Sequence, residues 1–225
     1  MDYVKAWLWI LGWYGLPSYG IGSIPYGYLF GRFKGIDLRK YGSGNIGATN
    51  VWWVMGKGWG IATFALDFAK VPLSAVMTEN LNPSRPSFLS WEYFGAMIPI
   101  FIFLGAVLGH NYPIWLKFKG GKGIATSAGG LLWLMPKAFL VVLIVWVLIF
   151  VIFRYVSLAS MCGAVALPIV AAFFYSESHL LLGLSLVLGV MAISRHRSNI
   201  QRLFQGTEHR WDRRDKEAKN GGGNF

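Results

Sequence analysis

An all-α, polytopic membrane bundle of about seven transmembrane helices, N-terminus outside and C-terminus cytoplasmic, is the fold class that this sequence predicts. Three observations carry it. Of 225 residues, 55% are hydrophobic and only 14% charged, with a mean hydropathy of +0.46; a soluble domain would carry about 25% charged residues. Apolar stretches near the length of a bilayer-crossing helix follow one another along the chain. The basic residues gather in alternate connections, as the positive-inside rule requires.

The stretches are justified in order. The first, near 6–30, follows Met1-Asp2-Tyr3-Val4-Lys5, which lacks a net positive leader, and no small-x-small site follows it; it is expected to be retained rather than cleaved. The next, 58–78, holds Asp67 and Lys70, three apart on one helical face, where charges are costly and are either paired or functional. The third, 94–113, carries Gly105-x3-Gly109, and the first carries Gly27-x3-Gly31; both read as small-residue faces for close helix contact. The fourth, 124–135, is short, contains Gly129 and Gly130, and stops at Pro136. It is a tilted or partial span, so six spans plus a re-entrant segment is the alternative count. The remaining spans fall near 138–153, 156–175 and 179–194. Residues 1–210 form one integral membrane domain, and 211–225 a polar, flexible cytoplasmic tail.

The charge pattern tests this topology. Of 21 Lys and Arg residues, only Lys5, Arg85 and Lys137 fall on the outer side and Lys70 within a span; all others fall inside. The formal net charge of +11 is therefore read as topology anchoring and phosphate binding, not as a nucleic-acid footprint. The single cysteine, Cys162, lies in an apolar run and reads as packing. The four His are scattered without Cys or carboxylate partners at ligand spacing, so no metal site and no cofactor is expected.

Three segments have the chemistry of phosphate holders, and all three fall on the inner side. The first is Gly42-Ser43-Gly44-Asn45-Ile46-Gly47-Ala48-Thr49-Asn50. It matches G-x-G-x-x-G formally, yet no strand precedes it and a membrane span follows, so a dinucleotide fold is excluded. The glycines would still let backbone N–H groups close around an anion, with Ser43, Asn45, Thr49 and Asn50 adding hydrogen-bonding groups. The second runs Gly109-His110-Asn111-Tyr112-Pro113, then Lys117-Phe118-Lys119-Gly120-Gly121-Lys122-Gly123-Ile124-Ala125-Thr126. Leu116 and Gly123 stand where a Walker A loop needs Gly and Ser or Thr. A glycine-flanked lysine at a helix start is nevertheless an anion clamp; a basic loop touching anionic lipid is the plainer alternative. The third, Arg195-His196-Arg197-Ser198-Asn199 followed by Arg202, offers guanidinium forks for phosphate and an imidazole that titrates near neutrality; it could also be a topology anchor.

These segments resemble the three signature motifs of bacterial glycerol-3-phosphate acyltransferases that use acyl phosphate. The likeness runs from roughly residue 20 to residue 210 and includes Leu66-Asp67-Phe68-Ala69-Lys70. It implies a seven-helix integral enzyme of the bacterial inner membrane; the charge topology puts its site at the cytoplasmic face, and a monomer is expected. Its substrates would be acyl phosphate and glycerol 3-phosphate, its surroundings membrane lipids, and its products lysophosphatidic acid and phosphate. The resemblance assigns catalytic roles to Ser43, Lys122, His196 and Asn199. Candidate substrate-binding residues are Gly42, Gly44, Asn45, Gly47, Thr49, Asn50, His110, Lys117, Gly120, Gly121, Gly123, Thr126, Arg195 and Arg197. One position departs: three residues after Asn50 the family has Arg and this chain has Trp53, which offers one N–H and no charge. Substitution by Lys57, Arg39 or Lys40, a different substrate, or lost activity are the open alternatives. No G-x-S-x-G nucleophile is present and an acyl phosphate is already activated, so catalysis is expected to come from positioning two phosphates and neutralising their repulsion. A carrier of phosphorylated solutes would use the same anion site, with Asp67 and Lys70 as its coupling pair, although the three motifs are not repeated as in two-halved transporters.

Overall fold

The computed structural model describes residues 3–81 and 94–211. Among these there is no strand. Helices α1 (Tyr3–Ile10) and α2 (Leu16–Gly22) are joined without interruption by a wide π-helical turn, Leu11–Gly15. Then come α3 (Tyr26–Phe33), α4 (Ala48–Met55), α5 (Lys57–Leu81), α6 (Ile98–Asn111), α7 (Ile124–Leu134), α8 (Pro136–Phe153), α9 (Val156–Phe174), α10 (His179–Arg195) and α11 (Arg197–Phe204).

Among the described residues, four helices are long and apolar enough to cross a membrane: Lys57–Asn80, Gly95–Leu116, Pro136–Phe153 and Val156–Phe174. A fifth is added if α10 and α11, bent 54° apart, count as one span. The polar sequence of α11, with Arg197 and Arg202, suits a surface helix beyond the end of α10. The expected span 6–30 is not one helix: it breaks at Pro25, which has no N–H to continue the ladder, and α3 starts afresh. The stretch 124–135 forms the short α7, stopped before Pro136 as expected. Arg85 and all of the expected tail except Trp211 lie outside the described residues. Trp211 packs against Trp52 and Trp53, so packed structure extends one residue past the expected boundary.

The core forms around α6. Its Ile102, Phe103, Ala106 and Val107 are buried with Ile10, Tyr14, Leu131, Leu184 and Leu188. Helix α8 behaves oppositely: Ala138 is its one buried residue, as suits a helix facing hydrocarbon rather than protein. Buried Ser23, Thr63, Ser74, Thr78 and Ser185 donate to carbonyls three or four residues earlier, so their hydroxyls stay paired without water.

The Gly105-x3-Gly109 face docks on α2 as expected. A side chain at Gly109 would run into the Tyr19 carbonyl, and one at Gly105 would meet Gly15 O and Ser18 Cβ. Gly105→Val should therefore cost about 1–3 kcal/mol by overpacking, read as a lower thermal unfolding midpoint in detergent. Gly27-x3-Gly31 serves a different purpose from the one expected. Its two glycines seat the backbone of Ile36 and Ile46 together with Leu38 and Val51, so the face receives the first motif loop rather than a second spanning helix.

Candidate functional site

The first motif loop is shaped by one side chain. Asn50, buried at the start of α4, accepts from the Ser43 N–H through Oδ1 at 2.9 Å. Its Nδ2 donates to Asn45 O at 2.7 Å and Tyr41 O at 3.2 Å. These bonds replace the ladder that a loop lacks. Gly42 and Gly44 take left-handed φ values of +56° and +70°, and a side chain at Gly42 would collide with Asn50. Asn45 Oδ1 accepts from Gly47 N–H at 2.8 Å, closing the turn into α4. Asn50, Gly42 and Gly47 thus build the loop, while Ser43, Gly44 and Asn45 face the cavity described below; Thr49 is exposed and does not line it.

The second motif folds back on the end of α6. Gly120 N–H donates to Asn111 O and Gly121 N–H to His110 O, at 3.1 and 3.0 Å. A side chain at either glycine would overlap the end of α6, at Gly121 the His110 ring itself. His110 therefore lies beneath the loop, not in the cavity wall. Its Nδ1 is 3.1 Å from Lys70 Nζ and 3.4 Å from Asp67 Oδ1, and Lys70 pairs with Asp67 at 2.8 Å. The two charges inside the span are an internal pair that seats the second motif. Gly123, at φ +80°, turns the chain into α7. Thr126 is buried in α7, and Lys117 is exposed away from the cavity.

Arg195 joins the second and third motifs. Its Nε donates to Gly121 O at 3.0 Å and a terminal nitrogen to Gly120 O at 2.9 Å, with the guanidinium 5.0 Å from the centre of the Tyr112 ring. Lys122 is thereby held at the edge of α11, where its Nζ donates to Asn199 Oδ1 at 2.7 Å. The three motifs close a cavity of about 460 Å³, a volume typical of small-molecule sites. Ser43, Gly44 and Asn45 line it from the first motif, and Tyr112 and Lys122 from the second. Ser194, Arg195, Arg197, Ser198 and Arg202 line it from the third.

His196 and Asn199 are buried at the bend between α10 and α11. His196 Nδ1 lies 2.7 Å from Ala192 O. A carbonyl only accepts, so the neutral ring carries its proton on Nδ1 and leaves the Nε2 lone pair bare. Burial, then the Lys122 charge, pull the imidazole down to about 4, so the ring is neutral at pH 7. Burial likewise pulls Lys122 down to about 8; Glu208 opposes this, and Arg202 and Arg195 reinforce it.

Sequence reasoning passed over Glu208. Its Oε1 accepts from Asn199 Nδ2 and from Ser157 Oγ, both at 2.6 Å, and its Oε2 from Arg202 Nε at 2.7 Å. Burial raises this carboxyl, but the three hydrogen bonds outweigh burial and the net shift is downward. The signal was present: between 195 and 211 it is the one acidic residue in a basic segment. None of Arg39, Lys40 or Lys57 lines the cavity in place of the arginine missing at Trp53. Arg39 is bonded to Asp37 at 2.9 and 2.7 Å instead.

A sequence profile described as glycerol-3-phosphate acyltransferase matches residues 13–206. The glycerol-3-phosphate acyltransferase of Desulforamulus reducens is 43% identical over 194 residues, covering 86% of this chain and 91% of the relative. That of Thermosynechococcus vestitus is 43% identical over 205 residues, covering 89% and 95%. The fold is similar to the crystal structure of PlsY (YgiH), an integral membrane glycerol 3-phosphate acyltransferase, in its glycerol 3-phosphate form. There the TM-score is 0.76 at 37% identity, over 94% of this chain and 98% of that one. The lysophosphatidic acid form gives 0.70, over 92% and 95%.

Proposed function

The chain belongs to the glycerol-3-phosphate acyltransferase family, and from that premise we infer that it moves a fatty acyl group from acyl phosphate to the 1-hydroxyl of glycerol 3-phosphate. The products are lysophosphatidic acid, for phospholipid synthesis, and inorganic phosphate. The observation that carries the reading is the meeting of three distant motifs at one cavity. Ser43 and Lys122 share its wall with Arg195, Arg197 and Arg202, and Lys122 is bonded to Asn199. Such a wall of cations and hydroxyls suits two phosphate groups and offsets their mutual repulsion.

In the reaction the substrate hydroxyl oxygen forms a bond to the acyl carbon, the bond from that carbon to the phosphate oxygen breaks, and phosphate departs with the electron pair. His196 accepts the hydroxyl hydrogen bond at Nε2 and orients the attack. With a pKa of about 4 it is a weaker proton acceptor than a phosphate oxygen, whose second pKa is about 6. The proton therefore ends on phosphate. Lys122 and Ser43 bind phosphate oxygens, Asn199 holds Lys122 in place, and no acyl-enzyme forms. Arg195 is bonded to the Gly120 and Gly121 carbonyls and Arg202 to Glu208, which leaves the exposed Arg197 for the second phosphate. Asn45 and the backbone of Gly44 add donors. The chain works as a single integral domain and a monomer in the bacterial inner membrane. It crosses the membrane seven times with the N-terminus outside, and the cavity opens to the cytoplasm, where the basic residues lie.

Purified protein in detergent should release phosphate from palmitoyl phosphate only when glycerol 3-phosphate is present; release that ignores the acceptor, or no release, overturns the reading. The same assay carries a pH prediction. Lys122 is charged below about 8 and neutral above it, so the depressed value brings the loss of its charge into the assay range. kcat/KM for glycerol 3-phosphate should fall above pH 8, and Lys122→Arg should move that limb to higher pH.

A further inference from the structure

The segment that follows α11 runs beside the site and fastens on two other elements. Thr207 N–H donates to Arg202 O at 2.8 Å, turning the chain out of α11. Glu208 then takes its three hydrogen bonds from Asn199, Ser157 and Arg202. Beyond it the His209 ring sits edge-on to Trp53, 4.2 Å between ring centres, and the Trp211 ring packs on Trp53 at 4.5 Å and Trp52 at 5.2 Å. Trp211 N–H donates to Arg154 O at 2.7 Å. Five residues thus connect α11 with α4, which continues the first motif, and with the turn between α8 and α9.

We propose that residues 207–211 are a strap that orders the phosphate cavity, with Glu208 as the positioning residue for Asn199 and Arg202, and Trp53 and Trp211 as the clasp that keeps Glu208 in place. The orientation of one amide explains the need for a carboxylate. Asn199 Oδ1 accepts from Lys122 Nζ, and Nδ2 donates to Glu208. Rotated by half a turn, the amide would set N–H against the ammonium and oxygen against the carboxylate, two repulsive contacts. Glu208 therefore fixes which end of Asn199 meets Lys122. Its carboxylate also occupies the Arg202 guanidinium, so Arg202 lines the cavity from a fixed position. Position 53 fits the same account: where the family carries Arg, this chain has an aromatic ring that holds the strap.

The kinetic part of the test rests on the acyltransferase reading; the labelling part does not. The charged and titratable groups facing Lys122 are Glu208 on the strap, Arg202 on α11, Arg195 ending α10, and His196 at the bend. Glu208→Gln keeps the shape and removes the one negative charge among them. Acetylation of Lys122 in the full-length protein, followed by mass spectrometry across pH with exposed Lys119 as internal standard, reads its titration without turnover. The midpoint should fall by about half a unit, giving about threefold more free amine at pH 7. Unfolding would move it the opposite way, towards an ordinary lysine. Trp211→Ala should lower kcat for phosphate release by about tenfold, and Trp211→Phe should retain most of it. An unchanged Lys122 midpoint in Glu208→Gln, or a wild-type kcat in Trp211→Ala, would overturn the strap. A wild-type protein with no acyl transfer but a shifted midpoint in Glu208→Gln would sink the functional reading and leave the strap standing.

Discussion

Lys122→Ala should reduce acyl transfer by about a hundredfold to a thousandfold, the loss that follows removal of one preorganised donor to a developing anion. Lys122 lines the cavity wall, and its ammonium is bonded to the side chain of Asn199, buried in another motif. Its replacement removes a charge and leaves Asn199 Oδ1 without a donor. The loss should appear in both kcat and KM, because the ammonium serves bound phosphate before and during transfer. Lys122→Arg should keep part of the activity, since it retains the charge but replaces a compact ammonium with a planar fork of different hydrogen-bond geometry. Phosphate release with each variant, across glycerol 3-phosphate concentration, checks this. Full activity in Lys122→Ala would remove the basis for assigning the site.

His196→Ala should lower kcat by about a hundredfold with a smaller change in KM, as expected for a group that aligns a hydroxyl in the transition state. The side chain also has a structural task, since its Nδ1–H meets the Ala192 carbonyl in the last turn of α10. His196→Asn separates the two roles: its amide N–H can still reach that carbonyl, but nothing replaces Nε2. It should be as inactive as the alanine variant and closer to wild type in thermal stability. The low pKa has a signature of its own. Below about 6.5 the unfolded imidazole takes up a proton, while the folded one resists until about 4. Across that window the unfolded state binds more protons, so stability falls as pH falls. The unfolding midpoint of wild type should drop between pH 6.5 and 4, and more steeply than that of His196→Asn.

The legible part of the site was the set of loops that carry anion chemistry. Glycines beside Ser43 and Lys122, and arginines around His196, are local patterns, and glycine, lysine and arginine have the same uses wherever they occur. The division of labour within those loops was not legible. Asn50, His110, Gly120 and Gly121 have the right chemistry for a ligand, but each faces its own backbone or a buried ion pair. Which way a side chain points depends on what lies beyond it, and motif spacing carries no such information. Glu208 was overlooked for a related reason: a lone carboxylate in a basic stretch reads as a surface residue until Asn199 and Arg202 of α11 and Ser157 of α9 converge on it.

By itself the sequence determined a helical membrane protein, because a backbone in hydrocarbon must satisfy its own hydrogen bonds and apolar runs admit few other forms. It also put phosphate-binding chemistry in three separate loops, which meet at one cation-lined cavity. Only the tertiary structure decided that Gly27 and Gly31 seat a loop, that Asp67 and Lys70 close on His110, and that Trp53 holds a strap. Those are contacts between residues distant in sequence, chosen by shape and charge once the helices have packed, and no local rule specifies them.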